Sequence, residues 1–222
     1  MNRQTIYTGK HLLWACIPFL LLSFSMSVSA ATLPKPGSYC PGKDILLVAA
    51  EELSVSLERV IHSRAALINK NQKMAISALT SAGTTMHLAT SRGAAARTIL
   101  LIDAIIEART SEDYTQTLPW FSLLYTSLLT LPDDATVSAA NDSVGRAESI
   151  MKGEKDGDPI KHLRDARHLL SCDDFDIPLQ AAIDSQDKLM KQLGQNTKNN
   201  AYDPLVDSLR RALAYTLGTG EK

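Results

Sequence analysis

Residues 57–89, LERVIHSRAALINKNQKMAISALTSAGTTMHLA, decide how this chain reads. Leu53, Leu57, Val60, Ile61, Leu67 and Ile68 recur at steps of three and four, the period of an amphipathic helix. Asn69-Lys70-Asn71 interrupts the pattern, and Asn suits a left-handed helix C-cap. Ala75, Ala78, Leu79, Ala82, Met86 and Ala89 then form a second stripe, whose small residues let a neighbouring helix approach closely. The expectation is an αα-hairpin with a short loop, ending near Gly93.

The same period continues downstream. Asp133-Asp134 starts a helix that reaches Met151. Lys152 to Asp158 is a charged, Gly-punctuated loop, and Pro159 opens a helix running to Leu170. Pro178 to Leu193 reads as another helix, with Leu179, Ala182, Ile183, Leu189, Met190 and Leu193 apolar. Gly194 to Asn200 is a polar turn, and Asp203-Pro204 signals the cap and first turn of a last helix ending at Gly218. Residues 94–131 are harder. Thr98–Ala108 and Pro119–Leu131 are apolar with weak periodicity, and Ile99 to Ile106 would suit a buried helix or a buried strand about equally. Ser111-Glu112-Asp113 marks the turn between the two runs. Helix is preferred, and a small antiparallel β-hairpin within 98–131 is the alternative. The fold class is mainly α, a helical bundle built from αα-hairpins.

Upstream, the chain begins like an exported protein. Arg3, Lys10 and His11 precede an apolar run from Leu12 to Phe24, and Val28-Ser29-Ala30 supplies the small residues of a cleavage site. The run contains Pro18 and is too short to span about 30 Å of hydrocarbon. The expected organisation is a signal peptide over 1–30, an arm over 31–43, one helical domain over 44–218 and a tail over 219–222. Arg3 and Lys10 leave with the signal, so a formal net charge of −1 becomes −3. Without a basic excess to neutralise phosphates, nucleic acid is not expected as a partner. No later segment is long and apolar enough for a membrane span. The expected location is the periplasm.

Compartment decides the chemistry of residues 166–178, ARHLLSCDDFDIP. One histidine, one cysteine and three carboxylates within so short a stretch suggest a metal site, an activated nucleophile or a staple. Loss of Cys16 with the signal leaves Cys40 and Cys172, which an oxidising compartment favours pairing. A paired cysteine is neither nucleophile nor ligand. Asp173, Asp174 and Asp176 then read as turn and N-cap residues, with Pro178 in a first helical turn. Zinc would want more His or Cys at closer spacing, and no metal is expected.

Two stretches carry a family resemblance. Residues 57–89, quoted above, combine a helix, an Asn-rich turn and an alanine-lined second helix. Residues 144–217 run from VGRAESIMKGEKDGDPIKHLRDARHLL through IPLQAAIDSQDKLMKQLG to LVDSLRRALAYTLG. In this order the chain resembles the YfdX family of exported enterobacterial proteins. The resemblance implies a mainly helical, stress-associated periplasmic protein linked to acid and heat tolerance. It also implies an ability to form homo-oligomers and chaperone-like or small-molecule binding. It implies no catalytic residues. Residues 94–131 match poorly, and the Cys40/Cys172 pair is not expected throughout the family.

No Gly-x-Ser-x-Gly, Gly-rich phosphate loop, Cys-x-x-Cys or His-Glu-x-x-His occurs, so no catalytic residue and no cofactor is assigned. A remote enzyme alternative is a secreted helical chorismate mutase type, with Arg59, Arg64, Lys70 and Lys73 around a dicarboxylate; solvated helix charges are the plainer explanation. Two binding roles remain. One is a stress protein that binds exposed apolar surface of unfolded or stressed clients. Its pH switch would be His62, His87, His162 and His168, whose charging near pH 6.5 moves the formal charge from −3 towards +1. The other is a small-molecule binder with a pocket near Trp120, Phe121 and Tyr125. Intact-mass measurement of the exported chain checks the compartment argument: the expected first residue is Ala31, and a chain beginning at Met1 would remove the basis for it.

Overall fold

The computed structural model describes residues 34–108, 114–193 and 199–218. The helices are α1 (Lys43–Ile68), α2 (Gln72–Thr90), α3 (Ala96–Ala108), α4 (Trp120–Leu128), α5 (Ala135–Met151), α6 (Pro159–Leu169), α7 (Asp173–Gln192) and α8 (Asp203–Thr216), with a 3-10 turn at Asn199–Tyr202. The fold is all-α. Among the described residues no strand occurs, and a single antiparallel bridge joins Ser38 to Cys172. The expected signal peptide, the turn at Ser111–Asp113, most of the Gly194–Asn200 turn and the tail lie outside the described residues.

The β-hairpin alternative for 98–131 does not hold. In α3 the buried side chains are Thr98, Ile102 and Ile105, a helical spacing. Their period is masked in sequence because Leu100, on another face, is as apolar as they are yet 66% exposed. Thr98 and Ser127 satisfy each other's hydroxyls at 2.8 Å inside the core, which joins α3 to α4.

The quoted hairpin is α1 and α2, with a shifted stripe. Leu53 and Val60 are buried, but Ile61 and Ile68 face outward, and Ser56, Ser63 and Ala66 take the inner positions. The small residues set the interface because they bring α1 close to Ala75, Ala82, Gly83 and Ala89 of α2. Ser63 donates to the Ala75 carbonyl at 2.7 Å and meets the Tyr202 hydroxyl at 2.8 Å, so three elements share one buried polar knot. The left-handed residue of the turn is Lys70 (φ 58°) rather than an asparagine. Asn71 instead caps α2 by accepting the Met74 N–H.

Helix starts follow their caps. Asp134 accepts the N–H groups of Thr136 and Val137, and Asp158 accepts that of Ile160 ahead of Pro159. α7 starts earlier than its proline suggested. It begins at Asp173, and Pro178 lies inside the helix. The chain turns helical there because Asp176 reaches back to accept the Cys172 N–H at 2.8 Å, and the acidic first turn suits the positive helix end. Asp203 likewise sits within the first turn of α8, after Tyr202.

The helices form two rings around two cores. α1, α2, α7 and α8 pack each against the next around Leu53, Leu79, Met86, Phe175, Leu179, Tyr202 and Leu209. α3, α4, α5 and α6 do the same around Ile102, Ile105, Phe121, Leu124, Val144, Ile160 and Leu163. The second ring is therefore an insertion between α2 and α7 of the first, within one compact unit.

The N-terminal arm binds the corner where the insertion returns. Gly37 donates to the His168 carbonyl and accepts from the Asp173 N–H, both at 2.8 Å, and Tyr39 donates to the Ser171 carbonyl at 2.9 Å. Tyr39 packs on the second core and Cys40 on the first, and Cys40 is disulfide-bonded to Cys172. Gly37 is required here. Its φ is +73°, and an added Cβ would lie 2.1 Å from the Asp173 carboxylate. Urea unfolding under oxidising conditions tests the corner. Cys40→Ser should lose up to about 4 kcal/mol, and Gly37→Ala should destabilise with the disulfide intact. An unchanged midpoint for Gly37→Ala would mean that the Asp173 side chain moves aside and that glycine is not needed there.

Candidate binding groove at the junction of the two rings

The insertion creates a seam. The end of α2, the start of α3, the end of α6, the start of α7 and the arm enclose a groove of about 580 Å³. Ile99, Leu100, Leu170, Ile177 and Ile183 give it apolar walls. Tyr39, His87, Asp103, Arg167, Asp173 and Asp176 supply its polar groups. A second groove of about 360 Å³ lies between α3 and α4, lined by Arg97, Leu101, Leu123 and Thr126. The two meet at Ser91, Ala96 and Leu100, so Leu100 is the ridge between them. Leu100, Leu123 and Ile177 are 66%, 58% and 63% exposed. Isolated exposed leucines are ordinary, but several along continuous grooves mark an interaction surface.

The polar groups are ordered by short contacts. Arg167 of α6 donates to Asp103 of α3 at 2.7 Å and ties the mouth of the groove together. His168 Nε2 lies 3.2 Å from Asp173, whose other oxygen accepts the Ser171 hydroxyl. Burial pushes the Asp176 carboxyl above the usual carboxylate range and Asp173 adds to this, although the Cys172 N–H and Arg167 oppose it. The acidic stretch 166–178 is thus both helix cap and groove wall.

The sequence-expected residues separate. Cys172 lines the groove through its disulfide, and His87 sits on its edge. His168 is beside it on Asp173, whereas His62 lies 4.0 Å from Glu58 one turn away in α1, and His162 is elsewhere on α6. The four histidines are therefore not one cluster. Among the described residues no group of three or more His, Cys, Asp or Glu is arranged to hold a metal ion. The pocket expected at Trp120, Phe121 and Tyr125 is not where the grooves lie. Phe121 is buried in the second core, and α4 offers Leu123 and Thr126 to the groove instead. Tyr125 donates to Glu148 at 2.6 Å, and Lys152 pairs with the same carboxylate at 2.8 Å. Burial disfavours a charged Glu148, but these two hydrogen bonds and the attraction of Lys152 outweigh it and hold its pKa below the usual range. Arg64 is engaged by Asp203 and Asn199, and none of Arg59, Arg64, Lys70 or Lys73 lines either groove.

Asp103, Leu100 and Ile177 were not singled out from sequence. Asp103 looks like a solvated helix charge until α6 brings Arg167 to it, and the apolar pair looks like core. The fold defines an all-helical protein of two rings, one inserted in the other's chain, with an apolar groove at their seam. Comparison with protein-family models, with curated proteins and with solved structures finds no match.

The two perturbed carboxylates make opposite pH predictions. A raised folded pKa at Asp176 means that the folded state takes up its proton more readily than the unfolded chain. Its stabilising contribution is present in acid and is lost as pH rises through the folded value. A depressed folded pKa at Glu148 contributes stability above the unfolded value, lost as pH falls through the folded one. Asp176→Asn can still accept the Cys172 N–H, so its melting temperature should exceed wild type at pH 7 and converge with it below about pH 4. Glu148→Gln should be less stable at pH 7, with the deficit closing in acid. Melts from pH 3 to 8 decide, and a lower melting temperature for Asp176→Asn at pH 7 that converges with wild type in acid would show that the ionised carboxylate is favoured instead.

Proposed function

We propose that this protein is an exported, non-enzymatic stress protein that shelters exposed apolar surface of other proteins in the manner of a chaperone, with the two joined grooves as its binding surface. The observation that carries this reading is the run of exposed Leu100, Leu123 and Ile177 along continuous apolar grooves. Such a surface suits loose, sequence-tolerant capture of apolar side chains. The Cys40–Cys172 bond is compatible with an oxidising compartment such as the periplasm, and among the described residues no helix is long and apolar enough to cross a membrane. The resemblance of residues 57–89 and 144–217 to the YfdX family supports the setting in acid or heat stress. Small-molecule binding is the second reading, because about 580 Å³ falls within the volumes of ligand pockets.

Light scattering of a heat-stressed client enzyme tests the proposal. The wild-type chain should suppress scattering at near-stoichiometric ratio. Leu100→Asp and Leu123→Asp should lose most of that effect, since both side chains are exposed and a charge there blocks the groove without opening the core. Leu129→Asp, 85% exposed but lining neither groove, should suppress as wild type does. Equal suppression by all variants would move client capture away from the grooves. A melting shift with small metabolites but no suppression would favour the second reading.

A further inference from the structure

We propose that the larger groove selects apolar polypeptide segments that carry a basic side chain, an inference that rests on the client-binding reading and specifies its substrate class. The charges facing this groove are Asp103, Asp173 and Asp176 against Arg167 and His87. Arg167 is held on Asp103 at 2.7 Å, and on the α7 side Asp173 meets His168 and Ser171 while Asp176 accepts the Cys172 N–H, so three carboxylates face the groove against one arginine. Asp176 is held there at an electrostatic loss, partly removed from water beside another carboxylate. An arriving ammonium or guanidinium would relieve that loss. Ile177, 63% exposed and next in the chain, gives the aliphatic stem of a lysine or arginine a surface to lie along. The neighbouring groove has the opposite character, with Arg97 as its charged residue and Leu101 and Leu123 as walls. A segment crossing the Leu100 ridge would therefore place a basic residue on the α7 side and apolar residues on the α4 side. A polypeptide, the client of the reading on which this rests, presents both kinds of side chain within one segment.

Calorimetric titration of the full exported chain with three capped heptapeptides, Ser-Leu-Leu-X-Leu-Leu-Ser with X lysine, norleucine or glutamate, tests this. The lysine peptide should bind about fivefold tighter than the norleucine peptide, and the glutamate peptide weakest. The preference should vanish at about 1 M salt. It should vanish also in the Asp173→Asn/Asp176→Asn double variant, with norleucine binding retained in both cases. The salt series uses the wild-type chain, so it stands even if the double variant folds poorly. Equal affinity for the three peptides would overturn charge selection while leaving apolar client binding intact. No peptide binding by a chain that still suppresses client aggregation would overturn the assignment of clients to this groove. Binding of dodecylammonium without binding of any peptide would overturn the polypeptide assignment in favour of a small cationic amphiphile.

Discussion

The structure depends on one corner, where Gly37 exchanges two backbone hydrogen bonds with His168 and Asp173 and Cys40 is bonded to Cys172. The arm, the second ring through α6 and the first ring through α7 all meet at this point. The first ring needs α7 and α8 to return to α1 and α2 across the whole insertion, and closing so long a loop costs chain entropy. A cross-link between residues 132 apart removes much of that freedom from the unfolded chain. The short hydrogen bonds then fix the geometry that the covalent bond only permits. The corner tolerates no side chain at Gly37, because Asp173 occupies that space while it orders His168 and Ser171.

Insertion explains why the molecule has a groove where it does. Each ring buries its own apolar stripes, so neither needs the other for its core. The ends of the insertion come back to the same place, with Ala94 and Ala96 at one end and Leu170 to Cys172 at the other lining a common groove. Two convex rings joined at one corner cannot close the seam between them completely. Apolar residues that the rings do not use, Leu100 and Ile177 among them, are left along it. Asp103 and Arg167, both on the second ring, pair along the groove wall, which suits a surface still open to water.

The electrostatics divide along the same line. Glu148, with Tyr125 and Lys152, ties α4 to α5 within the insertion and weakens as carboxylates protonate. Asp176, at the corner, is relieved by protonation. Acid therefore loosens one side of the second ring while it relaxes the junction that holds both rings together, and the disulfide is untouched by either change.

The sequence by itself determined the helices and most of their ends. Periodicity, Asp134, Asp158 and the two prolines at helix starts are local signals, read out within a turn of chain. The expectation of export also pointed to Cys40 with Cys172, the pair that the structure bonds. Over 98–131 the sequence preferred helix but left a β-hairpin open, because exposed Leu100 and Leu123 are as apolar as buried Ile102 and Leu124 and blur the period. For a ligand site it pointed to Trp120, Phe121 and Tyr125, which are conspicuous in composition, but Phe121 is buried, Tyr125 bonds to Glu148, and none of the three, partly exposed Trp120 included, lines either groove. Only tertiary structure decided that α1–α2 and α7–α8 close one ring and α3–α6 another. Only there do Asp103, Arg167, Asp176 and Leu100 meet. No sequence period links them, because a groove between helices is made by how whole helices pack and not by what any one of them prefers.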